Sequence, residues 1–177
     1  MRVIAGRFGG RTLVAPRGRA TRPTGDRVRE ALFSILGPVA DARVLDLFAG
    51  SGALAIEALS RGAAEATLVD SSATAIAAIR RNLEAVGAGA EVRRQRAAAF
   101  LEQARQDARQ YDLVFLDPPY KAAGDLGRTL SASLPPVLAP GARVVTESDR
   151  RAALQLQLPL LDERRYGDTL IRIYDSR

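Results

Sequence analysis

The chain has 177 residues, 47% of them apolar, with no cysteine and no histidine. That length suits one domain with a real core, and the two missing residue types exclude disulfides, Cys/His metal centres, cysteine or serine–histidine nucleophiles and histidine bases. The net charge of +6 equals that of residues 1–36 alone, which hold eight arginines and two acids, while the remaining basic and acidic groups balance.

No apolar run approaches the ~20 residues of a membrane span, and MRVIAGRFGGRTL lacks the continuous apolar stretch of a secretory signal. The expectation is a cytoplasmic, monomeric protein with no membrane partner. Along the chain, Val3-Ile4 and Leu13-Val14 flank Gly9-Gly10, the pattern of a small arginine-studded β-hairpin. A Pro/Gly/Arg loop runs from Pro16 to Thr24. Val28, Ala31, Leu32, Ile35 and Leu36 follow helical spacing, predicting an amphipathic helix over Asp26–Leu36 with Thr24 as its N-cap and Gly37-Pro38 as its stop.

Beyond that helix, strands predicted at Arg43–Phe48, Ala66–Asp70, Glu91–Gln95, Asp112–Asp117 and Ala142–Glu147 alternate with helices at Ala53–Arg61, Ser72–Val86, Phe100–Gln110 and Leu126–Leu138. Two final strands, Leu158–Arg164 and Thr169–Asp175, have no helix between them, implying one antiparallel strand at the edge. The alternation predicts a doubly wound α/β fold with a mostly parallel sheet, whose ligands bind beyond the carboxyl ends of the strands. The organisation expected is a basic arm and helix over residues 1–37, followed by the α/β domain over 38–177.

Two strand ends carry the chemistry. The run Val44-Leu45-Asp46-Leu47-Phe48-Ala49-Gly50-Ser51-Gly52-Ala53 reads as strand, glycine turn and helix start. The glycines let the backbone turn sharply against a ligand, and the new helix presents free N–H groups beside it. Asp70 ends the next strand, where a carboxylate accepts ribose hydroxyls. Gly50-Ser51-Gly52-Ala53-Leu54-Ala55 also fits the G-x-G-x-x-A of an NAD site. Asp46 tilts the reading toward S-adenosylmethionine (SAM), because an acid there repels a pyrophosphate and suits the methionine ammonium.

The second is Asp112-Leu113-Val114-Phe115-Leu116-Asp117-Pro118-Pro119-Tyr120, an apolar strand ending in Asp-Pro-Pro-Tyr. An exocyclic amine on a nucleobase is a poor nucleophile, since its lone pair is delocalised into the ring. Two acceptors aimed at its hydrogens, the Asp117 carboxylate and the Pro118 carbonyl, hold the nitrogen and favour the pyramidal geometry needed for attack. Pro118 and Pro119 stiffen the turn so that the acceptors are placed in advance. Tyr120 offers a ring for a base drawn out of its stack. The chemistry needs no metal and no covalent intermediate, so catalysis is mainly positioning.

These two motifs in this order resemble the class I SAM-dependent methyltransferases of nucleobase amines. Adding Thr21-Arg22-Pro23-Thr24-Gly25-Asp26-Arg27-Val28-Arg29-Glu30-Ala31-Leu32-Phe33 and the tail Arg165-Tyr166-Gly167-Asp168-Thr169, nearly the whole chain resembles the bacterial 16S rRNA guanine-N2 methyltransferases of the RsmD-like family. The resemblance implies a seven-stranded Rossmann-like sheet with a small hairpin extension, SAM as donor, S-adenosylhomocysteine as product, and a guanine of small-subunit rRNA, free or in an assembling particle, as target. It places Asp46, Phe48, Ala49, Gly50, Ser51, Gly52, Asp70, Ser71 and Ala97 at the cofactor and Asp117, Pro118, Pro119 and Tyr120 at the base. Gln95-Arg96-Ala97-Ala98-Ala99-Phe100 departs from the pattern by carrying no acid for the adenine amine, which leaves the backbone around Ala97 to bind it.

The localised charge predicts phosphate contacts from Arg7, Arg11, Arg17, Arg19 and Arg22. The resemblance implies that Thr24 and Arg27, with Arg22, lie near the mouth of the site. The same amine chemistry leaves open an adenine-N6 or cytosine-N4 methyltransferase acting on DNA or RNA. An inactive RNA-binding protein on the same fold is the reading from a different class.

Overall fold

The computed structural model describes residues 1–16, 25–118 and 123–176. Among them five α-helices and seven strands follow one another: α1 (Asp26–Leu36), β1 (Arg43–Leu47), α2 (Ala53–Ser60), β2 (Glu65–Asp70), α3 (Ala73–Val86), β3 (Glu91–Arg94), α4 (Ala97–Gln106), β4 (Tyr111–Leu116), α5 (Ala123–Ser133), β5 (Leu138–Asp149), β6 (Leu160–Tyr166) and β7 (Thr169–Asp175). One sheet holds all seven strands in the order β3-β2-β1-β4-β5-β7-β6. β1 through β5 pair parallel among themselves, and β7 runs antiparallel to both β5 and β6. The fold is thus the doubly wound α/β arrangement expected, with a mixed sheet. The reversed strand is β7, one place in from the edge, because β6 pairs outside it.

The chain leaves β1 toward β2 on one side and returns to β4 on the other, so the order reverses between β1 and β4. A crevice opens at such a switch point, above the carboxyl ends of the strands. The sheet separates two cores. On one face Leu32, Phe33, Ile56, Leu59, Ile79, Phe115 and Ile171 pack with α1, α2 and α3. On the other, Leu47, Phe100, Leu101, Val114, Leu116, Leu134 and Val144 pack with α4 and α5.

Several local expectations shift, each for a physical reason. The amphipathic stripe of α1 buries Arg29, Leu32, Phe33 and Leu36, a face that includes an arginine, while Val28 and Ile35 lie on its flank. The N-cap is Gly25 rather than Thr24: it makes no side-chain bond, and Val28 and Arg29 donate their N–H groups to its carbonyl. Thr24 itself lies outside the described residues. Helix α4 begins at Ala97, ahead of the expected Phe100, because three good helix formers precede the first apolar anchor. The helix expected over Leu126–Leu138 runs instead from Ala123 to Ser133, and Pro140-Gly141 lies inside β5, opposite a register shift between Tyr111 and Leu113 of β4. A bulge admits such residues within a strand.

Residues 1–14 double back on themselves, with an isolated antiparallel bridge between Arg2 and Thr12. The Val3 N–H donates to the Arg11 carbonyl at 2.9 Å and the Leu13 N–H to that of Met1 at 2.9 Å. Val3, Phe8 and Leu13 are buried in the same core as α1, α2 and α3.

Candidate active site

β1 delivers the first corner of the site. Leu47, its last residue, is level with Val69 of β2 and Leu116 of β4. Phe48, Gly50 and Gly52 then take left-handed φ values of 67°, 57° and 77°. For Phe48, which carries a Cβ, such a φ costs ~1–2 kcal/mol, a strain held by the surrounding turn. At Gly52 glycine is required twice: the φ is left-handed, and a Cβ would lie 2.8 Å from Leu68 Cδ2 and 3.4 Å from Ile79 Cγ1. The Ala49 N–H donates to the Val69 carbonyl at 3.0 Å, tying the loop to β2.

Asp46 and Asp70, the two acids expected at the cofactor, sit deep. Asp46 is 2% exposed and accepts the Ala55 N–H at 3.3 Å, near the start of α2. Burial, followed by that hydrogen bond acting the other way and by repulsion from Asp70, sets its pKa: the carboxyl is pushed up to about 7. Asp70 closes β2 and accepts the Gly50 N–H at 3.0 Å and the Ser72 N–H at 2.8 Å. Its carboxylate thus organises the glycine loop and the entry to α3 together, and Ser71, exposed, lies between. On the far side of β2, α4 opens at Ala97, and the Gln95 N–H donates to the Asp70 carbonyl at 3.1 Å. The first-turn N–H groups of α4 at Ala97–Ala99 are therefore presented at the same edge.

β4 delivers the second corner. Leu116 is level with Leu47 of β1 and with Thr146 of β5, so half-buried Asp117 and buried Pro118 leave the sheet beside the glycine loop. Adjacent strands lie ~5 Å apart, and the two corners open onto the same crevice. Pro119 and Tyr120 lie outside the described residues. Acids thus stand at or near the carboxyl ends of β1, β2, β4 and β5: Asp46, Asp70, Asp117 and Glu147. This row is hostile to a pyrophosphate and attractive to a cation.

Arg7 and Arg11 are exposed, with guanidinium carbons 4.5 and 5.9 Å from the Phe8 ring centroid. Arg27 is exposed on α1. Arg17, Arg19 and Arg22 lie outside the described residues. The sequence reading missed the groups that hold this arm in place. Glu57 of α2, fully buried, accepts the N–H groups of Ile4 at 2.7 Å and Ala5 at 3.1 Å and the Arg61 Nε–H at 2.7 Å. Ser60 Oγ accepts the Phe8 N–H at 2.9 Å. Asn82 of α3 binds both backbone groups of Val14. The signal was present: each is a polar residue on a helix face that is otherwise apolar.

Arg29, 1% exposed, ties α1 to the arm through the Arg2 carbonyl and Asp26. Among the described residues its Nε and Nη1 have no hydrogen-bond partner, and burial pulls its pKa down against the opposing field of Asp26, Glu57 and Glu147.

A family profile described as "Conserved hypothetical protein 95" matches residues 1–175. The chain belongs to this family. Among its relatives is a Bacillus subtilis protein named "Putative rRNA methyltransferase YlbH", 38% identical over 183 aligned positions that cover 100% of both chains. The Escherichia coli "Ribosomal RNA small subunit methyltransferase D" is 46% identical over 123 residues, 68% of this chain and 61% of that protein. A solved Escherichia coli structure described as "Putative methyltransferase yhhF" superposes with a TM-score of 0.82 at 37% identity, covering 99% of this chain and 97% of that one. The family resemblance read from the motifs is therefore the observed one.

Proposed function

We propose that the chain transfers a methyl group from SAM to the exocyclic N2 amine of a guanine in small-subunit rRNA, with residues 1–37 engaging the RNA and residues 38–177 holding donor and base. The observation that carries this reading is the register of β1 against β4, which sets the glycine loop and the Asp117-Pro118 corner side by side at one edge of the sheet. The relatives' names supply the substrate class.

The donor set fits SAM. Its two cationic groups match the buried acids, its ribose matches Asp70, and its adenine falls to the backbone N–H groups at Ala97. When bound, SAM supplies a sulfonium-activated methyl group. The protein's own part is placement. Asp117 and the Pro118 carbonyl accept the two N2 hydrogens, fix the nitrogen and draw its lone pair out of the ring. Asp117 also offsets the positive charge that develops on nitrogen during attack and can accept the proton released afterwards. The crevice between β1 and β4 sets the approach, an entropic advantage that needs no covalent step.

The test is labelled methyl transfer from SAM onto undermethylated small subunits, naked small-subunit rRNA and duplex DNA, followed by nucleoside mass analysis. N2-methylguanine in rRNA is the expected product. N6-methyladenine, N4-methylcytosine, or transfer to DNA alone contradicts the assignment, and RNA binding without transfer makes the chain an inactive binder.

A further inference from the structure

Helix α3 carries seven buried residues, and six of them are explained as ordinary core or small packing positions: Ala75, Ile76, Ala78, Ile79, Leu83 and Val86. The seventh is Asn82, 1% exposed. Its Oδ1 accepts the Val14 N–H at 2.8 Å, while its Nδ2 donates to the Val14 carbonyl at 2.9 Å and to the Ser51 carbonyl at 2.9 Å. Two carbonyls facing the nitrogen and one N–H facing the oxygen fix the orientation of the amide. Every polar hydrogen of the side chain is used.

The partners lie at two functional places. Val14 is held through both its backbone groups and precedes in sequence the stretch that carries Arg17, Arg19 and Arg22. Ser51 sits between the two left-handed glycines of the cofactor loop. The other arm anchors, Glu57 and Ser60, hold residues 4, 5 and 8 to α2 and make no bond to that loop. A second arm–loop contact, Ser51 Oγ to Met1 Sδ at 3.4 Å, uses a weak thioether acceptor.

We propose that Asn82 is a positioning residue that couples the cofactor loop to the basic arm, so that donor and RNA bind cooperatively. Ordering of the loop by the donor fixes the Ser51 carbonyl. The amide hydrogen-bonded to it is fixed in turn, and with it both backbone groups of Val14. The coupling is reciprocal by linkage, so RNA on the arm tightens the donor by the same factor. The inference rests on the reading of the loop as donor site and of the arm as RNA contact.

The experiment measures, on the full chain, the Kd of a small-subunit rRNA fragment with and without saturating S-adenosylhomocysteine, and the Kd of that nucleoside with and without the RNA. The wild-type chain is expected to show one shared factor of about 5–10 in both directions. In Asn82→Ala each ligand still binds alone, and the shared factor falls below about twofold. An unchanged factor in the variant, or no cooperativity in the wild type, overturns the proposal while leaving the functional reading intact. Failure of the wild type to bind either ligand overturns both. Amide hydrogen exchange on the wild type tests the same link without a variant. S-adenosylhomocysteine should slow exchange at Val14 and leave Phe8, held by Ser60, unchanged; a uniform change, or none at Val14, overturns the proposal.

Discussion

The buried Asp46 gives the cofactor reading a pH signature. Its carboxyl titrates at about 7, against an ordinary 3.8, chiefly because burial disfavours the charge. A cationic donor group beside it is held by the ionised form. If the protonated form contributes little, apparent affinity falls tenfold per pH unit below the pKa, so SAM binds about 30-fold more weakly at pH 5.5 than at pH 8. The same shift acts on stability with the opposite preference. A carboxyl whose folded pKa is raised favours the folded state when protonated, so its contribution is full below pH 3.8 and is lost as pH rises toward about 7. Asp46→Asn therefore flattens the pH dependence of SAM affinity, weakens binding at pH 8, and removes one source of falling stability between pH 4 and 7. Calorimetric titration with SAM at half-unit pH steps, beside urea unfolding at the same pH values, reads both effects. A wild-type affinity that is flat from pH 5.5 to 7 refutes the placement of the donor's cation beside Asp46.

Three further expectations follow from packing and charge. Gly52→Ala combines a left-handed φ with a Cβ 2.8 Å from buried Leu68; it should cost about 2–4 kcal/mol in urea unfolding, and a loss below about 1 kcal/mol contradicts the local geometry. Glu57→Ala strips the acceptor from the Ile4 and Ala5 N–H groups and from Arg61; a loss of roughly 2–4 kcal/mol and tryptic cutting within the arm should follow, and an arm that stays protected refutes the anchor. Neutralising exposed Arg7 and Arg11 to Gln should lower the log–log salt slope of rRNA binding by about 1.5 without changing SAM affinity, whereas an unchanged slope makes those arginines plain surface.

The fold was legible because the apolar periods are strong. β1, β2 and β4 are mostly apolar runs bounded by glycine, acid or proline, and α3 repeats its core positions at helical spacing. The two corners were legible because their residues are contiguous in sequence. Strand register was not, since adjacency of β1 to β4 depends on three successive crossovers that no local pattern encodes. The arm's anchors were hidden for a related reason. Glu57, Ser60 and Asn82 act on backbone groups 52 to 68 residues away, and backbone acceptors and donors look alike at every position. Only their polarity on buried helix faces betrays them. Arg29 was obscured by the same expectation, since an arginine on an amphipathic helix is assigned to the solvent side by default.

Single-turnover methyl transfer to small-subunit rRNA by the Asp117→Asn variant tests the central claim most directly. The account predicts SAM affinity within a few-fold of the wild-type chain and a transfer rate lower by at least about 100-fold. Near-normal transfer by that variant would mean that the corner beside the glycine loop does not hold the reacting amine.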